Sequence, residues 1–207
     1  MNIFVLDLDP VAAARMHCDK HIPKMCVEAA QMMASALRRH GATDEQMPLT
    51  KAGTPYKGGH KHHPCTVWAG DSVNNFHWLA RHALALCAEY NKRFGKEHAC
   101  LPPIIYMSSM IYTGANTNAV HFDTLEMTPF AQAMPDEYRD DDAVKAYRAY
   151  YHSKTFAKWE KGTPTPDWWR GVEVTAGTQK YTTMDTETAY PYSIPMTQRP
   201  TPYSRTY

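Results

Sequence analysis

His17, His21, Lys24, Glu28 and Gln31 recur at spacings of four, three, four and three residues. At roughly 100° per residue they fall within about 80° of one another on a helix surface. Two imidazoles, an ammonium, a carboxylate and an amide then share one line. Histidine is readily tuned for proton transfer near neutral pH, so Glu28 or His21 can serve as a base. Asp19, between the histidines, can orient His21. The plain alternative is a solvated helix face, where Lys and Glu are ordinary. Two histidines are what such a face would not favour.

A second chemical stretch is Tyr56-Lys57-Gly58-Gly59-His60-Lys61-His62-His63-Pro64-Cys65. Lys57 and Lys61 carry fixed charge, His60, His62 and His63 can add more, and the glycines let backbone amides approach a ligand. The stretch runs into a predicted helix start, where N–H groups attract phosphate. It can cradle the phosphate of DNA, a nucleotide or a pyrophosphate, or be a basic loop that binds nothing. The Walker pattern is absent. A zinc set of His60, His62, His63 and Cys65, with Cys18, matches no familiar module, so no metal or other cofactor is expected. Trp68 and Trp78 can stack on bases or belong to the core, and Arg81 adds a cation on the outward side of their helix. Asp7 and Asp9 form a DxD pair, but Asp9 is better read as a cap.

These groups need helices to place them. Asp9 to His40 reads as one helical segment, capped by Asp9, stopped by Gly41 and kinked at Pro23. A second helix is predicted from Pro64 to Phe94, stopped by Gly95. Its apolar side includes Val73, Phe76, Leu79, Ala83 and Cys87, with Asn75, Trp78, Arg81 and His82 opposite. Pro102 and Pro103 should break the chain before a short apolar piece, Ile104 to Tyr112. Gly114 to Asn118 is turn-rich, and Thr128 to Tyr138 is a structured loop. A third helix is predicted from Asp140 to Trp159, with Val144, Tyr147, Tyr151 and Phe156 inward. Asn2 to Leu8 is a short strand or an extended lead-in. The expectation is an all-α protein. It has one compact helical domain at 1–171, a short extended N-terminal segment, and an irregular Thr/Pro/Tyr-rich tail at 172–207.

Composition agrees with a folded chain, at 43% hydrophobic and 21% charged residues, and the formal net charge of +1 announces no polyanion partner. Five cysteines without a CxxC pair suggest reduced thiols and a cytosolic setting. MNIFVLDLDP lacks a signal peptide's basic and apolar regions, and no run is long enough for a membrane span, so no membrane partner is expected.

The stretches MNIFVLDLDP, HCDKHIPKM, YKGGHKHHPCTVWA, AEYNKRFGK, TPFAQAMPDEY and DDAVKAYRAYY together resemble a family of small phage-encoded proteins. That family is associated with amino acid:DNA transferases of thymine hypermodification. The resemblance covers most of residues 1–169. It implies a phage enzyme in the host cytoplasm, whose partners are DNA carrying a modified pyrimidine and a free amino acid. The amino acid's amine would displace pyrophosphate from pyrophosphorylated 5-hydroxymethyluracil. His17, Asp19, His21, Lys24 and Glu28 would form the catalytic set. Tyr56, Lys57, His60, Lys61, His62, His63, Trp68 and Arg81 would contact phosphate or DNA.

A more distant similarity is to pyrimidine-dimer DNA glycosylases of the endonuclease V type, in the D-x-H pattern Asp19–His21 with Glu28 seven residues on. The nucleophile there is the amine of a threonine exposed by Met removal. Met1-Asn2 departs from that context. A pyrimidine-specific glycosylase or lyase is therefore the alternative, and a non-catalytic DNA- or host-binding protein a third reading. A binding module needs no buried Glu–His pair.

Overall fold

The computed structural model describes residues 1–111 and 119–173. The expected turn at Gly114–Asn118 and the tail from residue 174 onward lie outside the described residues. Residues Met1–Glu173 form one compact unit. Its helices are α1 (Pro10–Met16), α2 (His21–Arg39), α3 (Pro64–Ala69), α4 (Val73–Phe94), α5 (Leu101–Ser109) and α6 (Ala143–Tyr151), with a 3₁₀ turn at Asp136–Tyr138. No strand occurs among the described residues, so the all-α expectation holds. No helix there is long and apolar enough to cross a membrane.

The core forms where α1, α2 and α4 pack together. Met25, Met32 and Leu37 of α2 and Phe76, Leu79 and Leu86 of α4 are all 1% exposed or less. Each such side chain contributes roughly 1.5–3 kcal/mol. The N-terminal segment is an extended strip without strand pairing, and Ile3, Val5 and Leu6 are fully buried.

Several boundaries differ from the sequence reading. The first segment breaks at residues 17–20, not at Pro23. Pro23 is the third residue of α2, where a missing N–H costs nothing. The second segment breaks at Gly70, and Ser72 starts α4 by accepting the Asn75 N–H at 3.1 Å. Gly95 ends α4 in the left-handed conformation at φ 67°, as expected of that stop. Pro102 and Pro103 start a helix rather than break one, since they occupy the first turn of α5. The last helix ends at Tyr151, leaving Phe156 beyond it and 36% exposed. Asn75, Trp78 and His82, expected outward, are buried. Tertiary partners satisfy them. Asn75 donates to the Trp68 carbonyl and Thr128 Oγ1, both at 2.7 Å, and Trp78 donates to the Leu8 carbonyl at 2.8 Å.

Candidate functional site

The break between α1 and α2 builds the first half of the site. Asp9 caps α1 through its Oδ1, which accepts the Val11 and Ala12 amides at 2.9 and 2.8 Å. At the other end, the carbonyls of Arg15 and His17 would be left without partners. Arg93 of α4 supplies them, donating to Arg15 at 2.9 Å and His17 at 2.7 Å. Its charge is balanced by Asp19 and Glu89, each at 3.0 Å. The other Asp19 oxygen accepts the Glu160 amide at 2.6 Å. Asp19 is thus held by a fully buried guanidinium and a backbone N–H, and pins the α1–α2 corner.

The two predicted histidines face inward from this corner. His17 is fully buried, with Nδ1 at 2.9 Å from the Ala13 carbonyl. Its ring centroid lies 5.2 Å from that of His82, and burial first, then His82, pushes its pKa well below the ordinary value. His21 opens α2. The Tyr151 hydroxyl accepts the Cys18 amide at 2.9 Å, leaving its own proton for His21 Nδ1 at 2.7 Å. Burial, with Lys154, Lys24 and Lys20 nearby, lowers the His21 pKa to about 3. Both rings are therefore neutral at physiological pH. The Phe4 ring stacks on His21 at 4.8 Å from a backbone at φ 38°, a conformation bulky residues rarely adopt.

Lys154 completes this aromatic wall. Its Nζ lies 3.4 Å from the Tyr150 ring centroid and 5.9 Å from that of Phe4. Burial, then the charge of Lys24, lowers its pKa to about 8. Sequence reasoning missed it, because its partner rings come from Phe4 and from the end of α6. The only local hint is a lysine three and four residues after Tyr151 and Tyr150.

Glu28, two turns along α2, is 9% exposed. Its Oε2 accepts the Asn2 backbone N–H at 2.8 Å and lies 3.8 Å from the Met1 amine. Lys24 Nζ reaches Oε1 at 3.3 Å. The line Lys24–Glu28 thus exists, with the N-terminal strip laid across it, and Glu28 is not part of a solvated face.

The glycine-histidine loop packs farther along the same helix. Gly58 sits at φ 77°, and a Cβ there would fall 2.2 Å from Ser35 Oγ. Ser35 Oγ accepts the Gly59 amide at 2.9 Å and donates to the Gly59 carbonyl at 3.1 Å. Arg38 holds the Tyr56 carbonyl at 3.0 Å. The loop borders a pocket of about 470 Å³ lined by Ser35, Arg38, Lys57, Lys61, His62 and Thr66, together with Arg39 and Val67. Among the described residues Lys57 and Lys61 have no carboxylate partner, so their charge is available to an anion. The phosphate cradle expected at the start of α3 differs in detail. The His63 side chain itself caps that six-residue helix, accepting the Cys65 amide at 3.2 Å. Anion attraction here comes from side-chain cations.

The structure therefore joins Lys24, Glu28 and the loop through Gln31 and Ser35, while His17 and His21 lie toward the other end. Ten residues of helix separate His21 from Gln31, about 15 Å. Tyr56 is half-buried behind the loop, and His60, at φ 51°, is exposed on it. Trp68 is 2% exposed and packs against Trp78 and Phe130, so its expected base-stacking face lies in the core. Arg81 faces Asp9 at 3.6 Å, apart from the basic pocket. Of the suggested zinc set, Cys18 and Cys65 are buried core thiols.

Residues 1–101 match a family described as pyrimidine dimer DNA glycosylase, just under half of the 207-residue chain. The matched stretch holds Asp19, His21, Lys24, Glu28 and the whole basic loop. Tyr150, Tyr151 and Lys154 lie beyond it. No curated protein and no solved structure matches the chain.

Proposed function

We propose that this protein is an enzyme acting on a pyrimidine in DNA, with glycosylase or lyase chemistry centred on Glu28. The observation that carries the reading is the surroundings of that buried carboxylate, with the Asn2 nitrogen at 2.8 Å, Lys24 Nζ at 3.3 Å and the Met1 amine at 3.8 Å. An amine beside a carboxylate base is suited to attack a sugar carbon, and Lys154, set among aromatic rings with its pKa lowered to about 8, is a second candidate amine. In this scheme the amine attacks C1′ of the target nucleotide and the bond from C1′ to the base breaks. The base leaves with a proton, the sugar is held as an imine, and Glu28 accepts and returns protons. The pocket cations neutralise the flanking phosphates. The family match over residues 1–101 supports the substrate class.

The test is borohydride trapping on duplex DNA carrying a cyclobutane pyrimidine dimer. A trapped adduct should map to the amino-terminal peptide or to the peptide containing Lys154. Glu28→Gln should cut trapping by roughly a hundredfold or more, the scale of general-base loss. Absence of any adduct or strand incision with the folded wild-type protein would end the glycosylase reading.

A second reading, the amino acid transferase, is favoured by the basic pocket itself. Two lysines without carboxylate partners beside Arg38 suit a departing pyrophosphate. Incubation of pyrophosphorylated 5-hydroxymethyluracil DNA with amino acids, followed by nucleoside mass spectrometry, would show the adduct. Unchanged nucleosides would end that reading.

A further inference from the structure

Away from Glu28, where α2, α4 and the chain after α4 meet, lies a second set of reactive side chains. Cys26 Sγ, Cys87 Sγ and a ring nitrogen of His98 all lie within 4.8 Å of one another. The thiols are 0% and 1% exposed and His98 is 9% exposed, so the group is shielded but reachable from its histidine side. Cys100, two residues beyond His98, is 8% exposed, and its amide donates to His98 Nδ1 at 3.1 Å. All are free thiols. The sequence concealed this, because residues 26, 87 and 98 match no metal-ligand spacing and meet only through helix packing.

We infer that Cys26, Cys87 and His98 form a three-ligand binding site for a thiophilic divalent cation of the Zn²⁺ class, its fourth position left to a water. Thiolate and imidazole ligands select such an ion over Mg²⁺ or Ca²⁺. His98 Nδ1 accepts the Cys100 amide at 3.1 Å, a bond across two residues that an ion held by that nitrogen would replace. Binding would release the thiol protons to solvent and clamp α2 to α4.

The test uses the full chain, purified under reducing conditions and stripped with a chelator. Addition of Co²⁺ alone should give thiolate-to-cobalt charge-transfer absorbance, reaching its plateau at one ion per chain. Zn²⁺ should abolish that spectrum and raise the melting temperature. His98→Gln, at the accessible edge, should weaken Co²⁺ binding by at least about a hundredfold. Cys87→Ala, a smaller change in volume, should do the same. If folded wild-type protein gives no cobalt spectrum and takes up no zinc, the site is refuted. A Cys26–Cys87 disulfide found by intact mass in protein prepared without reductant, together with no metal uptake after reduction, would also overturn it.

Discussion

His82 carries a prediction that can be worked through in numbers. Its ring is 1% exposed, its Nδ1 lies 2.9 Å from the Pro10 carbonyl, and its Nε2 has no partner among the described residues. Burial lowers its pKa from 6.5 to about 4. The folded pKa lies below the unfolded one, so the unfolded chain binds more protons as pH falls. Stability is therefore complete above about pH 6.5 and is lost as pH drops toward 4. The span of about 2.5 units corresponds to about 3.4 kcal/mol, and the steepest loss is about 1.4 kcal/mol per pH unit. His21, lowered to about 3, and His17, lowered by burial, act in the same sense. His82 and His21 together give a slope of about 2.5 kcal/mol per pH unit at pH 5, to which His17 adds in the same direction, against a typical total stability of about 5–15 kcal/mol. His82→Asn keeps a donor for the Pro10 carbonyl and removes the titration. It loses the stacking on Trp78, seen at a centroid distance of 5.0 Å, so its stability falls at every pH. Its slope averaged between pH 6.5 and 4.5 should still be shallower than wild type by about 1 kcal/mol per pH unit. Urea unfolding followed by tryptophan fluorescence at half-unit pH steps measures both slopes. Equal slopes, or a wild-type curve flat from pH 7 to 5, would refute the reasoning.

Arg93→Met should destabilise the protein by about 3–5 kcal/mol in chemical denaturation, because it strands Asp19, Glu89 and two helix-end carbonyls. Lys57→Ala with Lys61→Ala should leave the melting temperature within a degree or two. It should weaken DNA binding and reduce the salt dependence of log K by about two counterions, as read by fluorescence anisotropy. Gly58→Ala should unseat the loop, since a Cβ would strike Ser35 Oγ at 2.2 Å on a backbone at φ 77°. Faster protease cleavage within residues 56–63 is the expected result, and unchanged cleavage would show that the loop does not depend on this contact.

What could be read from the sequence was local. Asp9 as a cap, Gly95 as a stop and the apolar side of α4 all follow from near-neighbour chemistry, and the structure bears them out. The break at residues 17–20 was hidden because its cause, Arg93, lies more than seventy residues on. Asn75 and His82 looked like surface groups because their partners, Thr128 and the Pro10 carbonyl, come from other segments. The neighbourhood of Glu28 was legible as far as Lys24. The N-terminal strip across it was not, because an extended segment with no strand pairing leaves no periodic signal. Lys154 and the Cys26–Cys87–His98 group depended wholly on contacts distant in sequence.

The N-terminal strip also sets an order of assembly. Asn2 donates to the Ala133 carbonyl, Arg148 holds the Leu6 carbonyl, and Cys18 is fixed by Tyr151. The first residues to leave the ribosome therefore wait for partners made about 130 to 140 residues later. At roughly 5–20 residues per second that delay is about 7 to 28 seconds. Throughout it, a nascent chain that already carries Glu28 and the basic loop lacks the wall that buries His21 and lowers the pKa of Lys154. Synthesis thus delivers Met1, Lys24 and Glu28 long before the wall around His21 and Lys154 can form, so the amino-terminal half of the site is complete in sequence well ahead of the half that buries it.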